Sequence, residues 1–195
     1  TLRNSSAASD VYKRQLYPRP QFKIGYIIDE ALVWSISRQE SGFNPRAKSR
    51  AKAAGLRQLM PATAAFIARD RGYRGRKRHQ LFEPALNLKL GQTYIQHLLA
   101  EQHVQSSLIR LLVAYNGGPG NLRKWLGKID HQDDPFLLLE SIPARETRYY
   151  VKNVVSNLGI YRNRFRQTAP ALVGLAEGNG GRFVSSKAVD KTPID

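Results

Sequence analysis

Apolar residues along this chain recur mostly at intervals of three and four. Ile28, Leu32 and Ile36 fall one turn apart, with Val33 widening the stripe. That spacing predicts an amphipathic helix, capped by Asp29 and ended by Gly42 and Pro45. A stretch rich in Lys, Arg, Ser and Ala follows to Leu59. Pro61 then predicts a second helix through Phe66 and Ile67 to Arg71, because a missing N–H costs nothing at the first helical position. "RGYRGRKRHQ" reads as a basic loop. Pro84 opens a longer helix with Leu86, Leu90, Tyr94 and Leu98 on one face. Ser106 or Ser107 caps "LIRLLVAYN", which is apolar nearly all round and so is expected at the centre of the core. "GGPGN", 117–121, reads as a tight turn before a short helix "LRKWLG", and His131 to Pro135 as a polar loop. The last long helix is expected from about Ala144 to Phe165, with Tyr150, Val154, Leu158 and Tyr161 on one side. Strand-like alternation is nearly absent, so the predicted fold class is all-α.

The two ends read differently. "SSAASDVYKRQ", Ser5 to Gln15, matches residue for residue the in-frame translation of a transposase-type sequencing adapter, and there is no initiator Met. Residues 1–15 are therefore expected to be an artefact outside the fold. From Leu16 to Ile28, Pro18 and Pro20 break any periodicity. Residues 16–166 are expected to form one domain. Beyond Gln167 the Gly, Ala and Ser content rises through "EGNGGRF", so 167–195 are expected to form a loosely packed tail.

Composition narrows the function classes. At 195 residues, with 42% hydrophobic and 24% charged, the chain suits one globular domain with its own core. No apolar run reaches bilayer-spanning length, so no transmembrane segment is expected in this chain. There is no cysteine, hence no disulfide framework and no thiolate metal site. His79, His97, His103 and His131 show no i, i+4 ligand pairing, so neither a metal nor a cofactor is expected. Lys plus Arg number 31 against 15 Asp plus Glu, a net +16, and residues 1–15 hold only two of those excess charges. Such a surplus implies an anionic partner: nucleic acid, acidic lipid or an acidic polymer such as a cell-wall glycan with its peptide carboxylates.

Glu40 is the residue whose placement asks for a reason. "SISRQESGFNPRAKS" sets it in the last turn of an apolar helix, where unpaired carbonyls disfavour a negative charge. Burial near Trp34 and Phe43 would act in the same direction and keep the carboxyl protonated, as a general acid requires. A solvated surface charge is the plainer alternative.

Three blocks decide between them. "RQESGFNPRAKSRAKAAGLRQLMPATA", "AYNGGPGNLRKWL" and "ESIPARETRYYVKNV" resemble, in order and spacing, the signature blocks of the soluble lytic transglycosylase catalytic domain, the SLT domain, with its goose-type, lysozyme-like helical fold and substrate groove. The resemblance covers about Ile28 to Phe165. It implies cleavage of the β-1,4 bond between N-acetylmuramic acid and N-acetylglucosamine of peptidoglycan without water, leaving a 1,6-anhydro end. Glu40 takes the position of the family's catalytic acid and base. Ser49, Gln58, Met60, Tyr115, Asn116, Glu146 and Tyr150 take positions that bind the sugar or close the groove. The implied partner is the peptidoglycan glycan strand. The implied location is the periplasm or cell envelope, and the protein is expected to act as a monomer without nucleic acid.

Two positions depart from the family pattern S-x-x-G-A-x-G-L-M-Q, since this chain reads "SRAKAAGLRQ". Lys52 stands where glycine is typical, and needs a negative φ or strains its turn. Arg57 stands where methionine is typical, and is expected either to reach a substrate carboxylate or to turn its guanidinium outward. Gly117 replaces the commoner alanine, and Trp125 reads as a packing residue. These changes keep a second function in view, a catalytically impaired peptidoglycan-binding module. A third, a basic nucleic-acid-binding protein, rests only on "RDRGYRGRKRH" and the net charge.

Overall fold

The computed structural model describes residues 15–183 apart from Lys23 and Asn179. Residues 1–14, most of the stretch expected to be an artefact, and residues 184–195 of the expected tail lie outside the described residues. The fold is all-α. The helices that lie wholly within the described residues are α1 Glu30–Ser41, α2 Pro61–Ile67, α3 Pro84–Ala100, α4 Leu108–Gly117, α5 Pro119–Leu126, α6 Pro135–Ser141, α7 Arg145–Arg164 and α8 Pro170–Ala176. The basic segment expected as a loop folds into two short 3-10 turns, Arg71–Arg74 and Arg78–Phe82. Among the described residues there are no strands, only isolated bridges: Lys48 with Ala54, Ala54 with Leu59, and Ser107 with Arg182.

Local chemistry explains the helix ends. The Asp29 side chain accepts from Leu32 N at 2.8 Å to open α1, and Gly42 at φ 56° closes it with its N–H on the Arg38 carbonyl. Glu83 accepts from Ala85 N and Leu86 N before Pro84, and Asp134 from Phe136 N and Leu137 N before Pro135. Pro61, Pro84, Pro119, Pro135 and Pro170 each stand at the start of a helix. Pro119 therefore opens α5 inside the expected turn, and Pro135 opens a helix that the periodicity did not reveal.

Two apolar clusters meet across α3. The larger buries Leu32, Trp34 and Ile36 of α1, Leu88, Ile95 and Leu98 of α3, most of α4, and Tyr150, Val154, Leu158 and Tyr161 of α7. The smaller gathers Ala54, Leu59, Ala64, Ala65, Tyr73, Leu81 and Leu90, with Leu86 and Tyr94 packed on it. The expected stripe Leu86, Leu90, Tyr94, Leu98 is thus divided: Leu86 and Leu90 serve the smaller cluster, Tyr94 packs on both, and Leu98 joins Leu88 and Ile95 in the larger. Burial of α4 from Leu108 to Ala114, apart from Arg110, agrees with its expected central place.

Polar groups staple these parts together. The Asp29 carboxylate meets Arg162 of α7 at 2.7 Å, both buried. Asn87 of α3 accepts from Arg57 N at 2.8 Å and donates to the carbonyls of Leu81 and Ala54 at 2.8 and 3.0 Å. These bonds hold the loop 53–58 against α3. The expected loose packing does not describe the chain as far as Phe183: Ala171, Leu175 and Phe183 are buried in the larger cluster. Phe183 N donates to the Ser106 carbonyl and Leu108 N to that of Gly181.

Candidate active site

Where the loop 49–60 crosses α1, α4 and α7, it leaves a cleft of about 830 Å³. Glu40, Ser49, Gln58, Met60, Tyr115, Asn116, Glu146 and Tyr150, far apart in sequence, all line it. So do Gln39, Thr63, Tyr94 and Tyr149, which sequence reasoning did not assign to a site. Tyr149, exposed beside the "ETR" block, carried a readable signal as an aromatic next to a matched position. Tyr94 carried none, since it fits an ordinary apolar stripe.

Glu40 projects from the last turn of α1, partly buried. Burial pushes its pKa up from the ordinary carboxylate value to about 7; nearby Tyr150 and Arg57 favour the charged form, and Glu146 disfavours it. The buried Tyr150 hydroxyl has no hydrogen-bond partner in place, and its influence on Glu40 is that of a nearby polar group rather than a formed bond. Glu146, at the cleft edge, is exposed.

The other matched residues are held by their surroundings. The Ser49 hydroxyl accepts from Ala53 N at 3.0 Å, fixing the turn that carries Lys52. Lys52 sits at φ 73°, so of the two expected outcomes the strained one is realised. The Gln58 amide donates to the carbonyls of Ala47 and Gly55 at 3.0 and 2.9 Å. Asn116 accepts from the Thr147 hydroxyl at 2.8 Å, joining the end of α4 to α7. Tyr115 stacks on Tyr150, ring centroids 6.4 Å apart and nearly parallel. Trp125 lies against the core and close to Gly117, where an added Cβ would come within 3.1 Å of the indole.

Arg57 takes neither expected course. It is fully buried beneath the cleft, its Nη1 donating to the Val33 carbonyl at 3.1 Å and its Nε to the Tyr115 hydroxyl at 3.3 Å. The reason is local. The left-handed turn at Gln58 and the Asn87 anchor on Arg57 N direct the side chain inward, and Gly91 of α3 leaves room for it.

The transglycosylase SLT domain family matches residues 23–135 of the chain. The chain belongs to this family. It is 36% identical over 172 residues to the soluble lytic murein transglycosylase of Escherichia coli strain K12, covering 88% of this chain and 25% of that protein. The SLT chain thus spans about a quarter of that relative. Among solved structures, the 70 kDa soluble lytic transglycosylase of Escherichia coli superposes with a TM-score of 0.65 at 36% identity over 82% of this chain and 24% of that one. An inactive mutant of the lytic transglycosylase Slt of Pseudomonas aeruginosa, with a glutamate changed to glutamine, superposes with a TM-score of 0.62 at 31% identity over 82% and 24%. The fold is therefore the lysozyme-like helical one that the three blocks imply. Among the described residues no group of three His, Asp or Glu is placed to hold a metal ion, and no helix is long and apolar enough to cross a membrane.

Proposed function

We propose that this SLT domain is a peptidoglycan lytic transglycosylase acting in the periplasm or cell envelope on glycan strands, with Glu40 as both acid and base. Protonated Glu40 gives its proton to the oxygen linking N-acetylmuramic acid to N-acetylglucosamine, and that bond breaks. The substrate's own N-acetyl group stabilises the positive charge at the anomeric carbon, as in substrate-assisted glycosidases. Ionised Glu40 then takes the proton of the muramic acid 6-hydroxyl as that oxygen attacks the anomeric carbon. A 1,6-anhydro ring closes, Glu40 is protonated again, and no water is consumed.

The observation that carries this reading is the placement of the Glu40 carboxyl in the wall of a cleft of about 830 Å³ that all the matched residues line, where burial pushes its pKa up to about 7. In their assigned roles, Tyr115 and Tyr150 wall the reacting sugar. Ser49, Gln58, Met60 and Asn116 bind along the groove, and Glu146 closes its edge. Supporting the same reading, the Escherichia coli relative is named a murein transglycosylase and the Pseudomonas relative is inactive with a glutamate changed to glutamine. The impaired-module alternative rested on Lys52 and Arg57. Lys52 is exposed and Arg57 lies under the cleft, so neither side chain is among those lining it.

Incubation with purified peptidoglycan and mass spectrometry of the products tests the proposal. Anhydromuramyl products that disappear with Glu40→Gln are expected. Binding without products from the unaltered protein would replace the enzyme with a binding module.

A further inference from the structure

Arg57 is a buried cation without a counter-ion. Its side chain is shut off from solvent, and Nη2 has no hydrogen-bond partner. Among the described residues no carboxylate lies within ion-pair distance of the guanidinium. An uncompensated buried charge is costly, so its surroundings should return something for it. Those surroundings are the acid–base site. Nη1 holds the carbonyl of Val33, seven residues before Glu40 and on the same face of α1. Nε donates to the Tyr115 hydroxyl, which donates in turn to the Arg57 carbonyl at 3.1 Å. The guanidinium carbon lies 5.4 Å from the Tyr115 ring centroid, and Tyr115 stacks on the Tyr150 that faces Glu40. The Ser41 hydroxyl, next to Glu40, donates to the Leu56 carbonyl at 2.9 Å, fixing the segment that carries Arg57 to the end of α1.

We propose that Arg57 is a positioning residue that stabilises the ionised form of Glu40 during turnover and holds the Tyr115 hydroxyl at the cleft wall. The inference rests on Glu40 being the acid and base. When Glu40 hands its proton to the glycosidic oxygen and the bond breaks, a positive charge appears at the anomeric carbon and a negative one on Glu40, so the protein's own groups pass from one uncompensated cation to a neutral pair and the buried cation favours the carboxylate that develops. A methionine, typical at this position in the resembling pattern, supplies no such charge. The groups that bear on Glu40 are Tyr150 and Glu146 from α7, Tyr115 from α4 and Arg57 itself. Only Arg57 among them is cationic. Its attraction lowers the Glu40 pKa against the upward push of burial, in agreement with the geometry.

The test is an NMR titration of the labelled Glu40 side-chain carboxyl in the unaltered protein, Arg57→Met and Arg57→Lys, each checked for folding by circular dichroism. Arg57→Met is expected to move the midpoint upward by about one pH unit. The high-pH limb of its activity should move with it, and kcat should fall about 10-fold with KM nearly unchanged. Arg57→Lys keeps the charge and is expected to titrate near the unaltered midpoint. An unmoved or lowered midpoint in Arg57→Met, or a raised one in Arg57→Lys, would overturn the inference; should Arg57→Met not fold, the neutral Arg57→Gln takes its place, with the same upward move expected and an unmoved midpoint overturning the inference. Titration does not require turnover, so a failure of the proposed activity shows separately, as missing anhydro products from the unaltered protein.

Discussion

A carboxyl group in the last turn of a helix would ordinarily be a poor choice, and the acid–base role proposed for Glu40 turns that disadvantage to use. Its raised pKa has a thermodynamic consequence. Between the ordinary carboxylate value and about 7, folded Glu40 holds a proton that the unfolded chain has released, so stability falls as pH rises through that window. Glu40→Gln removes this loss. It is expected to unfold at higher temperature than the unaltered protein at pH 8, by on the order of 2 kcal/mol, with the gap closing by pH 4; calorimetry at both values checks it. Lys52 carries a smaller penalty. At φ 73° a side chain is strained, so Lys52→Gly should gain about 1 kcal/mol in urea unfolding while leaving the products unchanged. A loss of stability there would mean that the Lys52 side chain does something its exposed position does not show.

At the level of elements, the loop 53–58 is joined to α3 through the Asn87 side chain. Asn87→Ala removes three buried hydrogen bonds and should cost about 2 to 4 kcal/mol by urea unfolding, with activity falling because Arg57 loses its backbone anchor. A change below 1 kcal/mol would show that the bonds to Ser41, Val33 and Tyr115 hold the loop without Asn87. Nothing in the sequence marks Asn87, because a buried amide on an apolar helix has no periodic signature. The helices that periodicity revealed, α1, α3, α4 and α7, are long enough for several apolar repeats, while α2 was read from Pro61 and α5 from the short run after the 117–121 turn. Those left unread, α6 and α8, have seven residues each, too few for a period to show. Proline was the better guide: Pro61 and Pro84 were read as helix starts, while Pro119, Pro135 and Pro170 hold the same position unread. The site residues came from matching three blocks, not from periodicity, and the same match gave no hint that Arg57 turns inward. That direction is set by Asn87, thirty residues away in the chain, and by Gly91 one turn beyond it.

At the level of the whole molecule, the cleft exists because two apolar clusters share α3 and because the last long helix is locked to the first. Asp29 and Arg162 form that lock without solvent. Arg162→Met would leave a buried carboxylate unpaired and is expected to cost about 3 to 5 kcal/mol in thermal unfolding, a loss that replacing Asp29 with Asn at the same time should partly recover. The positive surplus belongs to this scale too. Binding to whole peptidoglycan sacculi, with their stem-peptide carboxylates, should weaken as salt rises. The central claim is that one carboxyl group cuts the strand with the sugar's own hydroxyl and no water, and it is tested most directly by digesting peptidoglycan in heavy-oxygen water. The account predicts 1,6-anhydromuramyl ends carrying no heavy oxygen; reducing ends labelled at the anomeric carbon would contradict it.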